Sequence, residues 1–196
     1  MAELSRLYKA YELFDKANGQ DPNKEVFQGN LYPKEVLYAH RMTQKLLEFE
    51  PGASEALRLA ARCQHICRWE IPRETYSMDR VGYLKWRQDL KKFHADKASS
   101  ILKAVGYDQA TIEKVVFLLE KKQLKKNEDT QTLEDVICLV FLEYYFEPFV
   151  VKHSEEKLID ILQKTWRKMS GKGHEAALKI GFSESSLKLV QKALNS

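Results

Sequence analysis

Apolar residues recur at every third or fourth position along most of this 196-residue chain. That spacing places apolar side chains on one face of an α-helix, whereas a half-buried strand alternates apolar and polar residues. Breaker pairs such as Asn18-Gly19 and Pro51-Gly52 interrupt the pattern and separate successive helices. The pattern therefore predicts an all-α, multi-helix bundle. The predicted helices cover about residues 2–17, 33–49, 55–70, 83–105, 109–122, 131–148, 155–169, 173–180 and 184–195.

The composition is typical of a soluble, folded chain. Apolar residues make up 44% and charged residues 31% of the sequence, which is long enough for a sizeable core. No apolar run approaches the roughly 20 residues that span a bilayer, and the N-terminus lacks the layout of a secretory signal. Three cysteines are an odd number and too few for a disulfide framework. We therefore expect a single domain over residues 1–196, cytoplasmic, with reduced thiols and no membrane partner.

The formal net charge of +4 is mildly basic. It is compatible with a phosphate-bearing ligand but too small to predict nucleic-acid binding by itself. A basic stretch with one tryptophan, KTWRKMSGKGH at residues 164–174, is typical either of a surface helix end or of an RNA contact. Nucleic acid is therefore a second candidate partner, behind a small phosphorylated ligand.

Four helices carry a polar residue on the face that the apolar spacing turns inward: His40, His65, His94 and Asp135. Each histidine can be a hydrogen-bonded core residue. The aspartate is harder to explain in this way, because a buried carboxylate needs a cation or several donors. Three imidazoles and a carboxylate that met in one hollow would suit a divalent ion such as zinc, manganese or iron. The sequence leaves both interpretations open.

Arginine and aromatic residues crowd together after the third predicted helix. Guanidinium groups bind phosphate through paired hydrogen bonds, and aromatic faces can stack on a base. In the alternative, the tryptophans anchor a long loop and the arginines pair with neighbouring acidic residues. For Arg87 the functional role is favoured, because this residue shares a helix face with His94. The residues predicted to bind substrate are Arg68, Trp69, Arg73, Arg80 and Arg87.

Nearly the whole chain resembles a family described only as a domain of unknown function (DUF 4202). The order of His40, His65, His94 and Asp135 over successive helices also resembles the HD superfamily of metal-dependent phosphohydrolases. Members of that superfamily are all-α and gather histidines and aspartates around one or two divalent ions. The segments that carry the first resemblance are FDKANGQDPN, LYAHRM, RLAARCQHICRWEIPR, GYLKWRQDLKKFHADKA, QTLEDVICLVFLE and KTWRKMSGKG.

The HD resemblance implies a role for each of these four side chains. His40 would be the first metal ligand, His65 the histidine of the paired motif, and Asp135 the distal aspartate. His94 falls where members with a second metal carry a further histidine, so it would be a ligand or a proton shuttle. The implied cofactor is a divalent ion (manganese, iron, zinc or magnesium) that this chain could also have lost.

The resemblance further implies an HD-like core over residues 33–148, between an N-terminal helix at 2–17 and C-terminal helices at 154–196. Two positions depart from the HD pattern. Ile66 follows His65 where an aspartate is expected, and Lys121-Lys122 stands where another histidine is expected. We therefore expect at most one metal, or a pocket that has lost it.

Three hypotheses follow, and the sequence leaves open whether the protein is an enzyme. The first is a metal-dependent phosphohydrolase acting on a small phosphorylated substrate such as a nucleotide, with a metal-bound water as nucleophile. Glu70 and His94 would then be the catalytic side chains. The second is a non-catalytic HD-like binding module that keeps the basic, aromatic pocket. The third is an RNA-associated accessory protein.

Overall fold

The computed structural model describes the backbone of residues 2–195 and the side chains of residues 5–195. Within this range the chain is all-α apart from one short hairpin, which confirms the predicted fold class. The helices are α1 (Ala2–Asn18), α2 (Lys34–Phe49), α3 (Glu55–Cys63), α4 (Arg80–Val105), α5 (Gln109–Leu119), α6 (Glu128–Val140), α7 (Phe146–Val150), α8 (Glu155–Lys168), α9 (Gly171–Ala177) and α10 (Glu184–Asn195).

The segment between α1 and α2, predicted as a loop, forms an antiparallel hairpin of β1 (Lys24–Phe27) and β2 (Asn30–Pro33). Its turn, Gln28-Gly29, has φ angles of 49° and 78°. Two left-handed residues in a two-residue turn match the twist of paired strands, and glycine adopts that conformation readily. The hairpin was missed because each strand has only four residues, too few for a visible alternation.

Several predicted helix ends are confirmed. The Ser54 hydroxyl accepts a hydrogen bond from the Leu57 amide at the start of α3, and Asp108 accepts one from Thr111 at the start of α5. Gly106 ends α4 in the left-handed conformation, with φ 89°. The side chains of Ser54 and Asp108 satisfy amide groups that the first turn of a helix leaves unpaired.

Other predicted ends are corrected. Ser154 precedes α8 but makes no capping hydrogen bond with its side chain. Helix α3 ends at Cys63, seven residues before the predicted end, and a turn with Cys67 at φ 52° leads into a short 3-10 segment, Arg68–Glu70. The predicted sixth helix is divided by a π-helical segment, Phe141–Tyr145, between α6 and α7. Insertions of this kind often occur at functional sites.

Two apolar clusters form the interior, and α6 contributes to both. Helices α1 to α5 form the first cluster together with one face of α6, where Val136 and Val140 are buried. Helices α8 to α10 form the second cluster together with Leu139 of α6 and Leu142 of the π-helical segment. Among the described residues, no helix combines the length and apolar character needed to cross a membrane.

The turn after α1 ties together the start of α2 and the end of α3. Asn18 is 1% exposed; its Oδ1 accepts from the Cys67 amide at 2.9 Å, and its Nδ2 donates to the Glu35 carbonyl at 3.4 Å. Asp21, also 1% exposed, accepts from the Glu35 amide through Oδ2 at 3.1 Å. Two buried polar side chains thus fix the relative positions of three helices.

Replacing Asn18 with alanine should destabilise the protein by about 1–3 kcal/mol, because the buried amide of Cys67 loses its acceptor. Urea unfolding followed by circular dichroism would measure the loss. Asn30→Ala, at the exposed start of β2, is the matched control and should change stability by less than about 0.5 kcal/mol. Equal effects of the two substitutions would contradict the role assigned to Asn18.

Candidate functional site

A pocket of about 350 Å³ lies between α2, α4, α6, α8 and the end of α3. Its volume is at the small end of the range for ligand sites, and five cationic side chains outnumber two carboxylates in its lining. Aromatic and apolar side chains make up much of the remainder. The cations are Lys34, Arg68, Arg87, Lys121 and Lys168, and the carboxylates are Glu35 and Glu134.

The neighbours of His65 select one tautomer of its neutral ring. Its Nε2 is 2.9 Å from Arg68 Nη1, and because arginine only donates, Nε2 must accept. The ring proton therefore lies on Nδ1, which is 3.5 Å from Glu35 Oε2. Burial lowers the pKa of His65 well below its ordinary value, and Tyr38 stacks on the ring at a centroid distance of 4.1 Å. With Nε2 engaged by Arg68, His65 has no free lone pair for a metal.

Glu35 is the pocket carboxyl that titrates near neutral pH. It is 6% exposed, and this burial raises its pKa to about 7. Arg68 and Lys34 oppose the shift, whereas the carboxylates of Asp21 and Glu25 add to it. The first turn of α2 therefore presents a carboxyl group whose charge changes in the physiological range.

Lys121 and Glu134 form a buried ion pair at 2.5 Å, with side chains 10% and 4% exposed. Burial acts to raise the pKa of Glu134, but Lys121 holds it below its ordinary value. Burial lowers the pKa of Lys121; Glu134 opposes this shift, and Arg87 adds to it. Lys168 reaches the same carboxylate at 3.8 Å. Glu134 thus brings two ammonium groups to one end of the pocket.

Arg87 is a pocket cation whose side chain is half-buried on α4 and forms no hydrogen bond or ion pair with another described residue. The side chain of Lys34 also forms none, but Lys34 is exposed. Arg68, by contrast, contacts His65 and lies 4.8 Å from the centre of the Trp86 ring. Glu134 attracts Arg87 electrostatically but forms no ion pair with it. A partly buried guanidinium without a direct carboxylate partner is costly, so this position favours an external anion.

The structure brings two of the five predicted substrate residues, Arg68 and Arg87, to the pocket and leaves the other three outside it. Arg73 donates to the carbonyls of Tyr76 at 3.1 Å and Asp79 at 3.2 Å, so it anchors the loop before α4. Trp69 packs against the first apolar cluster. Arg80, at the start of α4, is exposed.

The predicted catalytic Glu70 also lies outside the pocket. Its carboxylate pairs with Lys97 at 2.9 Å, and both side chains are about two-fifths exposed, at 39% and 40%. This is a surface ion pair of small energetic value. Its position follows from the early end of α3, since the 3-10 segment turns Glu70 away from the helix axis.

His40 does not face inward as the spacing predicted. Its side chain is 53% exposed, and its Nε2 lies 3.2 Å from Asp15 Oδ2, a carboxylate that Arg62 also contacts. Hydrogen bonds from His40 and Arg62 outweigh burial and hold the pKa of Asp15 below its ordinary value. The inward face of α2 runs through Tyr38 and Met42, so the predicted face was rotated by about half a turn.

His94 is buried as predicted, at 4% exposure, but it does not line the pocket. Its Nδ1 lies 2.8 Å from the Ile66 carbonyl oxygen, so Nδ1 donates, and Nε2 has no hydrogen-bond partner among the described residues. Burial lowers the pKa of His94 to about 3. The His65 and His94 ring centroids are 6.0 Å apart, and the structure shows no ion-binding arrangement between them.

Asp135 is buried as predicted, at 1% exposure, and is satisfied by donors from the protein. Oδ1 accepts from the Ser170 amide at 2.8 Å and from Gln131 at 3.1 Å, and Oδ2 accepts from the Ser170 hydroxyl at 2.5 Å. A Cβ at Gly173 would lie 2.7 Å from Oδ1, which explains the glycine. Asp135 therefore holds the first turn of α9.

The four predicted ligands do not form one ion site. Among residues 5–195, no group of three or more histidine, cysteine, aspartate or glutamate side chains is arranged to hold a metal. The pocket itself fits a divalent cation poorly, because its cations outnumber its carboxylates and Glu134 is already ion-paired. Metal binding stays a prediction, without support from this geometry.

Sequence reasoning missed Glu35, Tyr38, Lys121 and Glu134. The burial of Lys121 was not predicted, because it depends on the fold beyond α5. Glu134 was overlooked beside Asp135, although it shares a helix face with other pocket residues. The signal was the spacing of 134, 137, 138 and 141, all of which line the pocket.

Comparison with known families gives one match. A family model described as "Domain of unknown function (DUF4202)" matches residues 8–190. No curated protein and no solved structure matches the chain. The resemblance to the HD superfamily is not supported by these comparisons.

Asp135→Ala should destabilise the protein by about 2–4 kcal/mol in metal-free buffer, because three donors lose a buried charged acceptor. Urea unfolding in the presence of a chelator would measure this. Asp160→Ala, which removes an exposed helix-surface pair, is the control and should cost about 0.5 kcal/mol or less. A rise in melting temperature with zinc or manganese in wild type, absent from Asp135→Ala, would instead indicate a metal ligand.

Glu35→Gln should remove a pH dependence of stability. The pKa of Glu35 is raised from 4.5 to about 7 in the folded state, so its stabilising contribution is full below pH 4.5 and is lost as pH rises through 7. Relative to the variant, wild type should lose about 2.5 kcal/mol between pH 5 and 8. Urea unfolding across this range would test it. Parallel profiles for wild type and variant would contradict the assignment.

Proposed function

The chain belongs to the DUF4202 family, and we propose that it binds a small phosphorylated ligand in the pocket between α2, α4, α6 and α8. Arg87, Lys121 and Lys168 hold the phosphate, and Arg68 adds positive charge beside them. Binding requires no divalent metal. The observation that carries this proposal is the half-buried guanidinium of Arg87, which forms no hydrogen bond or ion pair with another described residue.

The charge of the pocket supports an anionic ligand. Five cations and two carboxylates leave a formal excess of three positive charges in the lining when His65 is neutral. Glu134 neutralises part of the charge on Lys121 and Lys168, but no carboxylate of the described residues forms an ion pair with Arg87. A phosphate supplies two or more oxygen acceptors in a geometry that a guanidinium matches.

Binding is favoured over metal-dependent hydrolysis by the state of the predicted ligands. His40 is engaged with Asp15, His65 with Arg68, and Asp135 with Ser170. A hydrolase of the predicted kind would need three such side chains free to reach one ion at about 2 Å. The non-catalytic module, which needs only the basic, aromatic pocket, has no such requirement.

An RNA partner is a weaker alternative. The cationic groups converge in a small concave pocket rather than along an extended strip, and a pocket of this kind suits a single small molecule better than a polymer. The basic segment 164–174 contributes only Thr165 and Lys168 to the lining. Its tryptophan, Trp166, stacks on His174 at a centroid distance of 4.1 Å and is therefore already used within the protein.

Isothermal titration with inorganic phosphate, ribose 5-phosphate and AMP should detect binding of at least one of these probes to wild type. Arg87→Gln should weaken that binding about tenfold or more, because it removes charge-assisted hydrogen bonds to the phosphate. Arg80→Gln is the matched control: it lies two helical turns away on α4, is exposed, and should change affinity less than twofold. Addition of a chelator should leave the affinity unchanged.

Two results would overturn the proposal. One is a lack of binding by all three probes together with unchanged melting temperatures in their presence. The other is binding that disappears with the chelator and returns with a divalent ion, which would support the metal-dependent hypothesis.

A further inference from the structure

We infer that the ligand is a nucleotide: its phosphate lies at the charged end of the pocket, and its heteroaromatic base lies at the aromatic end. This inference rests on the proposed function and names the class of ligand. It depends on how the lining changes along the pocket.

Helices α6 and α8 lie side by side and define the direction of this change. At one end, Glu134 of α6 lies 3.8 Å from Lys168 of α8 and 2.5 Å from Lys121. One turn further along α6, Cys138 Sγ lies 3.9 Å from the carbonyl oxygen of Thr165. Because the sequence number rises along α6 while it falls along α8, the helices are antiparallel. Both therefore present charge at the same end of the pocket.

The opposite end is apolar and aromatic. Beyond Cys138 the lining continues with Phe141 and Tyr145 of the π-helical segment, and beyond Thr165 it continues with Ile161 of α8. Tyr38 of α2 joins them, with its ring centroid 6.0 Å from that of Tyr145. Aromatic side chains at this spacing provide faces and edges against which a flat ring can pack. On the side formed by α6 and α8, an anionic group placed here would lie against apolar surface. Arg41, which donates to the Tyr145 hydroxyl at 2.9 Å, is already paired with Glu25.

The aromatic end also offers a hydrogen-bond donor. The Tyr38 hydroxyl donates to Gln64 Oε1 at 3.2 Å, which fixes the orientation of the amide. The two N–H groups of this amide then have no partner among the described residues, and Gln64 lines the pocket. A ring nitrogen or carbonyl of a base would accept from them, whereas a hydrocarbon ring would leave them unpaired.

Other phosphorylated ligands fit this arrangement less well. A sugar phosphate would place hydroxyl groups against Phe141 and Ile161, where they lose water without gaining partners. A ligand with phosphates at both ends would bring charge to the aromatic end. A volume of about 350 Å³ also favours a single nucleotide over a dinucleotide or an oligonucleotide.

The test is a ligand series on the full chain, measured by isothermal titration at constant ionic strength. The probes are inorganic phosphate, ribose 5-phosphate, phenyl phosphate and the monophosphates of adenosine, guanosine, cytidine and uridine. At least one nucleoside monophosphate should bind about tenfold or more tightly than ribose 5-phosphate, since stacking of a base on aromatic side chains supplies a gain of this order. Phenyl phosphate should fall between the two.

Phe141→Leu tests the position of the base. It should lower the affinity for the best nucleoside monophosphate about tenfold and leave that for ribose 5-phosphate unchanged. Phe117→Leu, at a partly buried phenylalanine of α5 outside the pocket, is the matched control and should alter neither affinity. Thermal unfolding of both variants establishes that they are folded. If Phe141→Leu does not fold, the ligand series with wild type decides the question alone.

The outcomes separate this inference from the proposed function. Equal affinities for ribose 5-phosphate and all four nucleotides would overturn the nucleotide inference while the phosphate site stands. Phenyl phosphate binding as tightly as the best nucleotide would overturn the part assigned to Gln64 and the base. Failure of every probe, with no effect of Arg87→Gln on melting temperature in their presence, would remove the phosphate site itself.

Discussion

The pocket depends on two buried polar side chains in the turn that follows α1. Asn18 and Asp21 together bind the backbone of Glu35 and Cys67, which are 32 residues apart in the chain. These hydrogen bonds are made in the interior, where water cannot replace them, so losing one carries the full cost of an unpaired group. Glu35 itself and Arg68, the residue after Cys67, line the pocket. The positions of a carboxyl and a guanidinium in the site are thus set by side chains outside it.

Two residues next to the pocket, Cys67 and Lys121, adopt an unfavourable backbone conformation that contacts elsewhere in the fold stabilise. Lys121 adopts a left-handed backbone conformation, with φ 57°, that costs a residue with a side chain roughly 1–2 kcal/mol. The ion pair with Glu134 favours the arrangement, because it brings the ammonium group to a buried carboxylate. Cys67 is left-handed too, with φ 52°, and its amide is held by Asn18. Strained residues beside a charged pocket are a frequent property of functional sites.

Individual residues show how far the sequence could be interpreted. The caps at Ser54, Gly106 and Asp108 were predictable because each depends on residues three or four positions away. His40 was misplaced because its helix face was assigned from a pattern in which a change of one position rotates a side chain by about 100°. Asp135 was correctly expected to be buried, but its partner, Ser170, is 35 residues away and was not predictable from local spacing.

The sequence by itself determined the all-α fold, most helix positions, the burial of His94 and Asp135, and the presence of arginines near the end of α3. These properties follow from periodicity and from short-range hydrogen bonds, which a local stretch of chain fixes on its own. Only the tertiary structure decided which polar groups meet: it separated His40 from His65 and joined Lys121 to Glu134. The physical reason is that such meetings depend on how helices distant in the chain pack against each other, and periodicity within one helix carries no information about that packing.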